Sequence, residues 1–146
     1  FFNMTTDKKI VICDIDGTVA NNDHRQHLLK GFKTWDLFFN ALDKDTPILE
    51  VIEYVLKLYS NGKKIVFITG RPERFRKPTL RWLSRYFDFE LNVFMRGNND
   101  IRHKKLVKKD IFTNNFNSEQ IYIAIENDLE LIDLWKSLGL QVKEIN

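Results

Sequence analysis

The sequence is poor in cysteine, proline and glycine and lacks long apolar runs, and each shortage excludes a class of protein. Cys13 is the single cysteine in 146 residues, so no intrachain disulfide can form, which suits a reducing compartment. Three prolines and six glycines are too few for a fibrous or low-complexity chain. No apolar run is long enough to cross a bilayer, and no signal-peptide pattern opens the sequence. We therefore expect a soluble, cytoplasmic protein without a membrane partner.

The composition that remains is that of a globular domain. Hydrophobic residues make up 43% of the chain and aromatic residues 13%, which is enough for a sizeable core. The length fits one compact domain, so we expect residues 1–146 to fold as a unit. The formal net charge of +3 favours anionic ligands but does not by itself indicate a nucleic acid. The sequence leaves the oligomeric state open.

Apolar runs alternate with segments of helical periodicity, which is the βαβ pattern of a parallel sheet covered by helices. The predicted strands are 9–13, 64–68, 91–95, 121–125 and 140–145. The predicted core-facing helix stripes are Leu49, Ile52, Leu56 and Tyr59; Leu80, Leu83 and Phe87; and Leu131, Ile132, Trp135 and Leu138. The insertion from about 20 to 46 contains a predicted short amphipathic helix with Trp35, Phe38, Phe39 and Leu42. We therefore expect an α/β fold with a small helical cap.

Two carboxylates follow the first predicted strand. In an extended segment the side chains of Asp14 and Asp16 point the same way, so both can face one site beyond the carboxyl end of the sheet. Because close carboxylates repel, they favour a bound cation, and Mg²⁺ is the oxygen-seeking ion expected where phosphates are handled. Gly17 then permits a sharp turn. An ordinary turn is the alternative, since Asp and Gly favour turns in any protein.

Two further strand ends carry polar residues. Thr69-Gly70-Arg71 offers a hydroxyl and backbone N–H groups that can hold phosphoryl oxygens, although a turn with a surface arginine fits the same residues. Glu126 can complete a metal site with Asp14. Asn127 or Asp128 can simply cap the last helix, and capping is compatible with a site at this strand end.

A cation for phosphoryl transfer can come from the basic run 102–109, although most basic runs are solvated helix faces. The three histidines lack the spacing of zinc ligands. No G-x-x-x-x-G-K-[ST] phosphate loop is present, which excludes a kinase site of that type.

Taken together, these motifs resemble those of the haloacid dehalogenase (HAD) superfamily. The shared elements are Asp14-x-Asp16-Gly17-Thr18 after an apolar strand, an apolar run ending in Thr69-Gly70-Arg71, a lysine, and an acidic strand end, in order from about residue 9 to 140. A closer resemblance is to the 3′-phosphatase domain of phage-type polynucleotide kinase–phosphatases. It rests on Met95-Arg96, Asp100-Ile101-Arg102, Val107-Lys108, Ile111-Phe112, Ala124-Ile125-Glu126-Asn127 and Leu134-Trp135, with Arg25 at the place of a substrate-loop arginine.

The resemblance implies a Rossmann-like, HAD-type fold and a role for each motif residue. Asp14 is then the nucleophile, and Asp16 is the general acid that protonates the leaving oxygen and later activates water. Thr69 and Lys108 hold the phosphate, with Lys104 or Lys105 as alternatives to Lys108. The implied substrate-binding residues are Thr18, Gly70, Arg25, Arg71, Arg96 and Arg102, and the implied Mg²⁺ ligands are Asp14, Asp16, Glu126 and Asn127.

Two positions depart from the pattern. The superfamily usually has two aspartates where this chain has Glu126-Asn127, so we expect weaker metal binding, with Asp128 as a displaced substitute. Lys104 stands where the closest group usually has an acid, which affects the expected substrate contacts. Neither change affects the nucleophile.

The resemblance implies a Mg²⁺-dependent phosphatase of polynucleotide or nucleotide 3′-phosphates that acts in nucleic-acid repair. One alternative is a phosphatase of mononucleotides or small metabolites, with the same chemistry in a different pocket. Another is a catalytically weak module that binds phosphate or nucleic acid. The neutral Asn127 motivates that last reading, and the intact Asp14 and Asp16 oppose it.

Overall fold

The structure, a computed structural model, describes residues 7–29 and 35–146, with a five-stranded sheet at its centre. The strands are β1 (Ile10–Cys13), β2 (Ala20–Asn21), β3 (Thr46–Pro47), β4 (Lys64–Pro72), β5 (Val93–Arg96), β6 (Ile121–Glu126) and β7 (Val142–Glu144). The α-helices are α1 (Trp35–Asn40), α2 (Leu49–Ser60), α3 (Arg76–Ser84), α4 (Lys104–Asn115) and α5 (Leu129–Ser137). The central sheet has the order β5-β4-β1-β6-β7 with every pair parallel. This confirms the predicted α/β fold.

Both faces of the sheet are covered, which is why its strands are continuous apolar runs. In β1, Val11 and Cys13 belong to the cluster on the side of α2 and α3, while Ile12 belongs to the cluster on the side of α4 and α5. Trp82 and Trp135, each 1% exposed, lie in these two clusters. Each fully buried large apolar side chain contributes about 1.5–3 kcal/mol, so the clusters fix the strands and hence the position of the strand ends.

Two of the predicted core positions on α2 are wrong. Leu49 is 62% exposed and Tyr59 is 46% exposed. Apolar residues occur on more than one face of this helix, and periodicity alone does not decide which face meets the sheet. The residues buried on α2 are Val51, Ile52, Val55 and Leu58. In the other two stripes, Leu83, Phe87, Leu131, Ile132 and Trp135 are buried, and Leu80 and Leu138 pack partly buried against the core.

β4 is longer than the sequence predicts. The predicted strand ends at Ile68, but β4 continues to Pro72, and its register against β5 shifts between these two residues. Thr69-Gly70-Arg71 is therefore the irregular last part of a strand and not a turn after it. The strands β5 and β7 are shorter than predicted.

The insertion begins and ends in a two-stranded sheet, because β2 pairs antiparallel with β3. Between these strands lie a 3₁₀-helix (Asp23–Leu29), α1 and a second 3₁₀-helix (Leu42–Lys44). Phe38, Phe39 and Leu42 are buried in a small cluster with Phe75, as an amphipathic helix predicts; the side chain of Trp35 lies outside the described part of the structure. Neither α1 nor any other helix in the described ranges is long and apolar enough to cross a membrane.

A pair of Leu→Ala substitutions in α2 tests which face of the helix is buried. Leu58→Ala truncates a side chain that is 7% exposed, so we expect the free energy of unfolding to fall by about 2–5 kcal/mol. Leu49→Ala should change it by less than about 0.5 kcal/mol, because that position is exposed. Urea unfolding followed by tryptophan fluorescence measures both values. Equal losses would contradict the burial pattern.

Candidate active site

Three neighbouring strands bring their carboxyl ends to one edge of the sheet. Asp14 directly follows β1, Thr69 lies near the end of β4, and Glu126 ends β6; β1 lies between the other two strands. Open parallel sheets bind ligands at this edge, where the strand order reverses. A cavity of about 340 Å³ opens here. Its lining includes Asp14, Asp16, Gly17, Thr69, Gly70, Arg71, Arg96, Lys104, Lys108, Glu126, Asn127 and Asp128.

Lys108 and Asp14 form a buried ion pair on the floor of the cavity. Lys108 is 4% exposed and Asp14 is 7% exposed. The ammonium nitrogen Nζ donates to Asp14 Oδ1 at 2.6 Å and to Glu126 Oε1 at 3.3 Å. A cation therefore stands directly beside the predicted nucleophile, where it can also contact a bound phosphoryl group.

The start of α4 decides which lysine reaches this floor. The N-cap residue is His103, whose Nδ1 accepts from the backbone N–H of Lys105 at 3.1 Å. Residues four apart on a helix share a face, so Lys104 and Lys108 both point towards the cavity. Lys104 pairs with Asp128 at the mouth, and Lys108 lies one turn deeper. Lys105 is exposed and outside the lining, so Lys108 is the lysine that the geometry favours.

Burial and neighbouring charges shift the pKa values of both residues in this ion pair. Burial and the charge of Glu126 raise the pKa of Asp14 to about 7, although Lys108 lowers it. Burial would lower the pKa of Lys108, but the charges of Asp14 and Glu126 outweigh it and raise that pKa above its ordinary value. Lys108 therefore stays cationic, whereas Asp14 ionises more readily when a further positive charge is nearby.

Glu126 holds Lys108 in place. Its Oε1 accepts from Lys108 Nζ at 3.3 Å and from Trp135 Nε1 at 3.1 Å. Its Oε2 accepts from the backbone N–H groups of Asn127 and Asp128 at 3.3 and 3.4 Å. The side chain is 1% exposed. Both carboxylate oxygens of Glu126 thus accept hydrogen bonds from the protein, and its role as a Mg²⁺ ligand stays a prediction.

Asn127, unlike Glu126, forms a hydrogen bond with Asp14. In the orientation that satisfies its hydrogen bonds, Asn127 Nδ2 donates to Asp14 Oδ2 at 2.9 Å, to the Asp16 carbonyl oxygen at 3.1 Å and to Thr18 Oγ1 at 3.0 Å. Thr18, predicted to bind substrate, is fully buried and donates to Asp14 Oδ2 at 3.1 Å. It therefore orients the carboxylate and does not line the cavity.

The Asp14 carboxylate, the Asp16 carbonyl and the Asn127 amide also fit a divalent cation. A half-turn of the Asn127 amide presents its oxygen to Asp14 Oδ2 and the Asp16 carbonyl, and carboxylate, carbonyl and amide oxygens are the ligands that Mg²⁺ prefers. In the described residues no group of three or more His, Cys, Asp or Glu side chains could hold a metal ion. A metal here would thus depend on a backbone and an amide oxygen, with Asp16 contributing its carbonyl and not its side chain.

The Asp16 carboxylate accepts hydrogen bonds from two arginines. Arg25 Nη2 donates to Asp16 Oδ1 at 2.7 Å, and Arg71 donates to Oδ1 and Oδ2 at 2.8 and 3.1 Å. Burial raises the pKa of Asp16, but Arg71 and Arg25 outweigh it and lower the value to about 2. The arginines are only 0% and 1% exposed. Both arginines therefore hold Asp16, and their contact with substrate stays a prediction; Arg71 lines the cavity, whereas Arg25 does not.

Asp45 completes this cluster, although no sequence pattern predicts it. Its side chain is fully buried and contacts Arg25, Arg71 and His24. Asp45 precedes Thr46-Pro47, a segment that looks like an ordinary turn, and it lies far along the chain from Asp16. Nothing in its local sequence distinguishes it from a turn aspartate.

Arg96 and Arg102 shape the loop beside the cavity. Arg96 donates to the Gly70, Asp100 and Arg102 carbonyl oxygens at 2.8, 3.0 and 2.6 Å. Arg102 pairs with Asp100 at 2.9 Å and with Asp110 at 2.7 Å. Arg96 lines the active-site cavity and Arg102 lines only a neighbouring one, so both predicted substrate contacts are engaged with the protein.

Thr69 and Gly70 lie in the cavity wall, and their contact with phosphate stays a prediction. Thr69 is 1% exposed, and its Oγ1 accepts from the Arg71 backbone N–H at 3.1 Å. A Cβ added to Gly70 would lie 3.6 Å from Arg96 Nη2, which is ordinary contact. Gly70 therefore does not depend on the absence of a side chain for space.

The loop after β1 requires glycine at position 17. The Ile15 carbonyl accepts from three successive backbone N–H groups, those of residues 18–20, which turns the chain sharply. Gly17 has a φ of +82°, and a Cβ there would lie 2.3 Å from the nearer terminal atom of the Asn127 side-chain amide. A side chain at this position would collide with the amide that contacts Asp14.

The parallel sheet, with its carboxylates and lysine at the strand ends, gives the chain the fold of HAD-type phosphatases. A class C acid phosphatase from Bacillus anthracis with tungstate bound shares the fold, with a TM-score of 0.64 over 93% of this chain and 65% of that chain, at 17% identity. A phosphoserine phosphatase in apo form also shares it, with a TM-score of 0.53 over 92% of this chain and 85% of that one, at 15% identity.

The family model for the polynucleotide kinase PNKP phosphatase domain matches residues 8–146, and the chain belongs to this family. A protein of Autographa californica nuclear polyhedrosis virus, assigned as a bifunctional polynucleotide kinase/RNA ligase, is 32% identical over 135 residues. The match covers 90% of this chain but 18% of that protein. A structure of a Pnkp1/Rnl/Hen1 complex aligns with a TM-score of 0.81 and 26% identity over 95% of this chain and 46% of its own. This chain therefore spans less than half of each of these two relatives.

Substituting two glycines separates backbone strain from the collision with Asn127. Gly17→Ala and Gly62→Ala both place alanine at positive φ, since Gly62 has a φ of +92°. We expect each to lower the free energy of unfolding by at least about 1–2 kcal/mol. Nothing lies within 4 Å of a Cβ at Gly62, so only Gly17→Ala should also reduce phosphatase activity. Urea unfolding and phosphate release from an aryl phosphate measure the two effects, and equal activity losses would refute this role of Gly17.

Proposed function

We propose that this phosphatase is a Mg²⁺-dependent phosphomonoester hydrolase that works through an aspartyl-phosphate on Asp14, with 3′-phosphorylated polynucleotide ends as substrate. The observation that carries the proposal is the Asp14 carboxylate on the cavity floor. Lys108 holds one of its oxygens at 2.6 Å, and the other faces Thr18 and Asn127. Membership of the PNKP phosphatase family supports the same substrate class.

The residues around Asp14 suit transfer of a phosphoryl group. Lys108 stays cationic and can contact a phosphoryl oxygen, and Thr69 in the cavity wall adds a hydroxyl. Both are buried, so their charge and dipole act in a medium from which water is largely excluded. When bound by Asp14, the Asp16 carbonyl and Asn127, Mg²⁺ would supply charge neutralisation at the carboxylate and the phosphate.

Asp16 moves the protons in this scheme. In the first step an Asp14 oxygen bonds to phosphorus while the bond from phosphorus to the leaving oxygen breaks. A substrate bound as its monoanion supplies a proton, which Asp16 passes to the leaving oxygen. The pKa of Asp16 is about 2 without ligand, but an anionic phosphate beside it raises that pKa and favours the protonated carboxyl.

The second step returns Asp14 to its free form. A water oxygen bonds to phosphorus, and the bond from phosphorus to Asp14 breaks. Asp16 accepts a proton from the water and passes it to the departing phosphate. The products are the Asp14 carboxylate and inorganic phosphate, with no net change at Asp16.

A second cavity next to the first supports a polynucleotide over a small metabolite. It measures about 470 Å³ and shares Phe39, Gly70, Arg96 and Lys104 with the active-site cavity. Arg74, Arg102 and the 95% exposed Ile101 also line it. Cationic groups suit the phosphodiesters of a strand, and apolar side chains suit its bases. The nucleotides that precede a 3′ end would lie along this cavity.

Phosphate release from matched substrates tests the proposed function. We expect a 3′-phosphorylated oligonucleotide to be hydrolysed with Mg²⁺ at least about tenfold faster than its 5′-phosphorylated counterpart, a difference of about 1.4 kcal/mol in activation free energy. Mononucleotides and an aryl phosphate complete the set, and Asp14→Asn, which removes the nucleophile, is the blank. Preference for mononucleotides or the aryl ester would refute the polynucleotide assignment. Activity retained in Asp14→Asn would refute the mechanism.

Proton release on metal binding tests the Mg²⁺ site without turnover. With a pKa of about 7, Asp14 is mostly protonated at pH 6 and mostly ionised at pH 8. Because the pKa of Asp14 lies well above that of a free carboxyl, Mg²⁺ binding should release more protons at pH 6 than at pH 8. Calorimetry in buffers of different ionisation enthalpy measures this number. Asp14→Asn should release none at either pH, and release that persists in this variant would place the metal elsewhere.

A further inference from the structure

Lys104 stands where the active-site cavity meets its neighbour. Its side chain lines both cavities, of about 340 and 470 Å³, and is 45% exposed. Gly70 lies close to it, since a Cβ added there would be 3.9 Å from Lys104 Cβ, and Gly70 also lines both cavities. A ligand that extends from the first cavity into the second therefore runs past Lys104.

Lys104 and Lys108 place two positive charges at different depths. They are one turn apart on the same face of α4, and a turn rises about 5.4 Å along the helix axis. Lys108 is 4% exposed and lies on the cavity floor beside Asp14, whereas Lys104 lies at the mouth. When Lys108 holds the terminal phosphate of a strand, the preceding phosphate lies farther out, on the side of Lys104.

The pairing of Lys104 with Asp128 leaves the lysine available to a ligand. Asp128 Oδ1 caps α5, because it accepts from the backbone N–H groups of Glu130 and Leu131 at 2.9 and 3.2 Å. Lys104 Nζ donates to the other oxygen, Oδ2, so the helix cap does not need the lysine. Water and salt weaken a partly exposed ion pair, and a phosphodiester can therefore replace the carboxylate.

The arginines of this region are held differently. Arg96 donates to three backbone carbonyl oxygens, and Arg102 pairs with the carboxylates of Asp100 and Asp110. Their planar guanidinium groups thus shape the loop between β5 and α4. A lysine carries a compact ammonium group on a flexible stem, so Lys104 can turn to a ligand without disturbing that loop.

We propose that Lys104 binds the phosphodiester that precedes the terminal phosphate, and that this phosphodiester takes the place of Asp128 on the lysine. One turn of α4 then separates the contacts to two successive phosphates, with Lys108 at the terminal one. The contact depends on charge and not on the base, so it favours strands over mononucleotides without selecting a sequence. The inference rests on the proposed function, because it assigns one residue of that site to the strand.

Binding to the Asp14→Asn protein, which lacks the nucleophile, measures this contact without turnover. In this background we expect Lys104→Met to weaken the binding of a 3′-phosphorylated dinucleotide about tenfold, the loss of one hydrogen bond to a charged group. A nucleoside 3′-phosphate has no phosphodiester, so its dissociation constant should change less than about twofold. Lys104→Arg keeps a cation and should restore most of the dinucleotide affinity. Calorimetry with Mg²⁺ present gives these constants, and equal losses for both ligands, or no loss, would overturn the inference.

A change in the ligand tests the same contact independently. A methylphosphonate linkage replaces the charged phosphodiester of the dinucleotide by a neutral group. It should weaken binding about tenfold where Lys104 is present and less than about twofold in Lys104→Met. Losses of the same size in both proteins would show that Lys104 does not contact this linkage.

Two further variants serve as control and as a test of the exchange. Lys109→Met removes an exposed cation of α4 that lines neither cavity, and it should leave both affinities unchanged. Asp128→Asn keeps an oxygen that can cap α5 but removes the charge that holds Lys104. The dinucleotide should then bind more tightly, with a larger gain than the nucleoside 3′-phosphate. Equal gains, or weaker dinucleotide binding, would refute the exchange with Asp128.

Turnover by the wild-type protein reports separately on the proposed function. If the wild type does not hydrolyse 3′-phosphorylated strands, the proposed substrate is wrong, whatever Lys104 contributes to binding. If it hydrolyses them and Lys104→Met binds the dinucleotide as tightly as its parent, the proposed function stands and the inference about Lys104 is wrong.

Discussion

The need to balance one buried positive charge determines the arrangement of the active site. Lys108 is 4% exposed and lies between Asp14 at 2.6 Å and Glu126 at 3.3 Å. A buried ammonium is stable only beside compensating charge, so β1, β6 and α4 must bring these three residues together. Core packing enforces this: Phe112 of α4 packs against Trp135, whose indole N–H also donates to Glu126. The same contacts therefore serve both stability and chemistry.

Asp14 and Asp16 are two residues apart, yet their surroundings shift the pKa values of their carboxyl groups in opposite directions. Burial and Glu126 raise the pKa of Asp14 to about 7, while Arg71 and Arg25 overcome burial and lower that of Asp16 to about 2. Environments that push paired pKa values apart are how proteins assign different roles to similar groups. Added positive charge, such as that of a metal ion, would favour the ionised form of Asp14, and added negative charge, such as that of a phosphate, would favour the protonated form of Asp16.

The sequence predicts the positions of functional residues better than their partners. Asp14, Thr69 and Glu126 are predictable because parallel strands end at a common edge, and an apolar run marks each strand. The partners of Arg25 and Arg71 are not predictable, because a surface guanidinium and one buried on carboxylates look the same in a sequence. The contacts of Asp45 with Arg25 and Arg71 join residues that are 20 and 26 positions apart in the chain, so no local pattern reveals them. Similarly, the buried face of α2 depends on how the helix meets the sheet.

The neutral Asn127 changes how metal and substrate depend on each other. A carboxylate in its place would stand 2.9 Å from Asp14 Oδ2 and, with Glu126 already near, would oppose ionisation of the nucleophile further. An amide avoids this repulsion, because it donates to Asp14 without a cation and offers an oxygen to one. It also contributes no charge to attract Mg²⁺, so we expect the phosphate to supply part of the negative charge that holds the metal. Metal and substrate would then each strengthen the binding of the other, as reciprocal coupling requires.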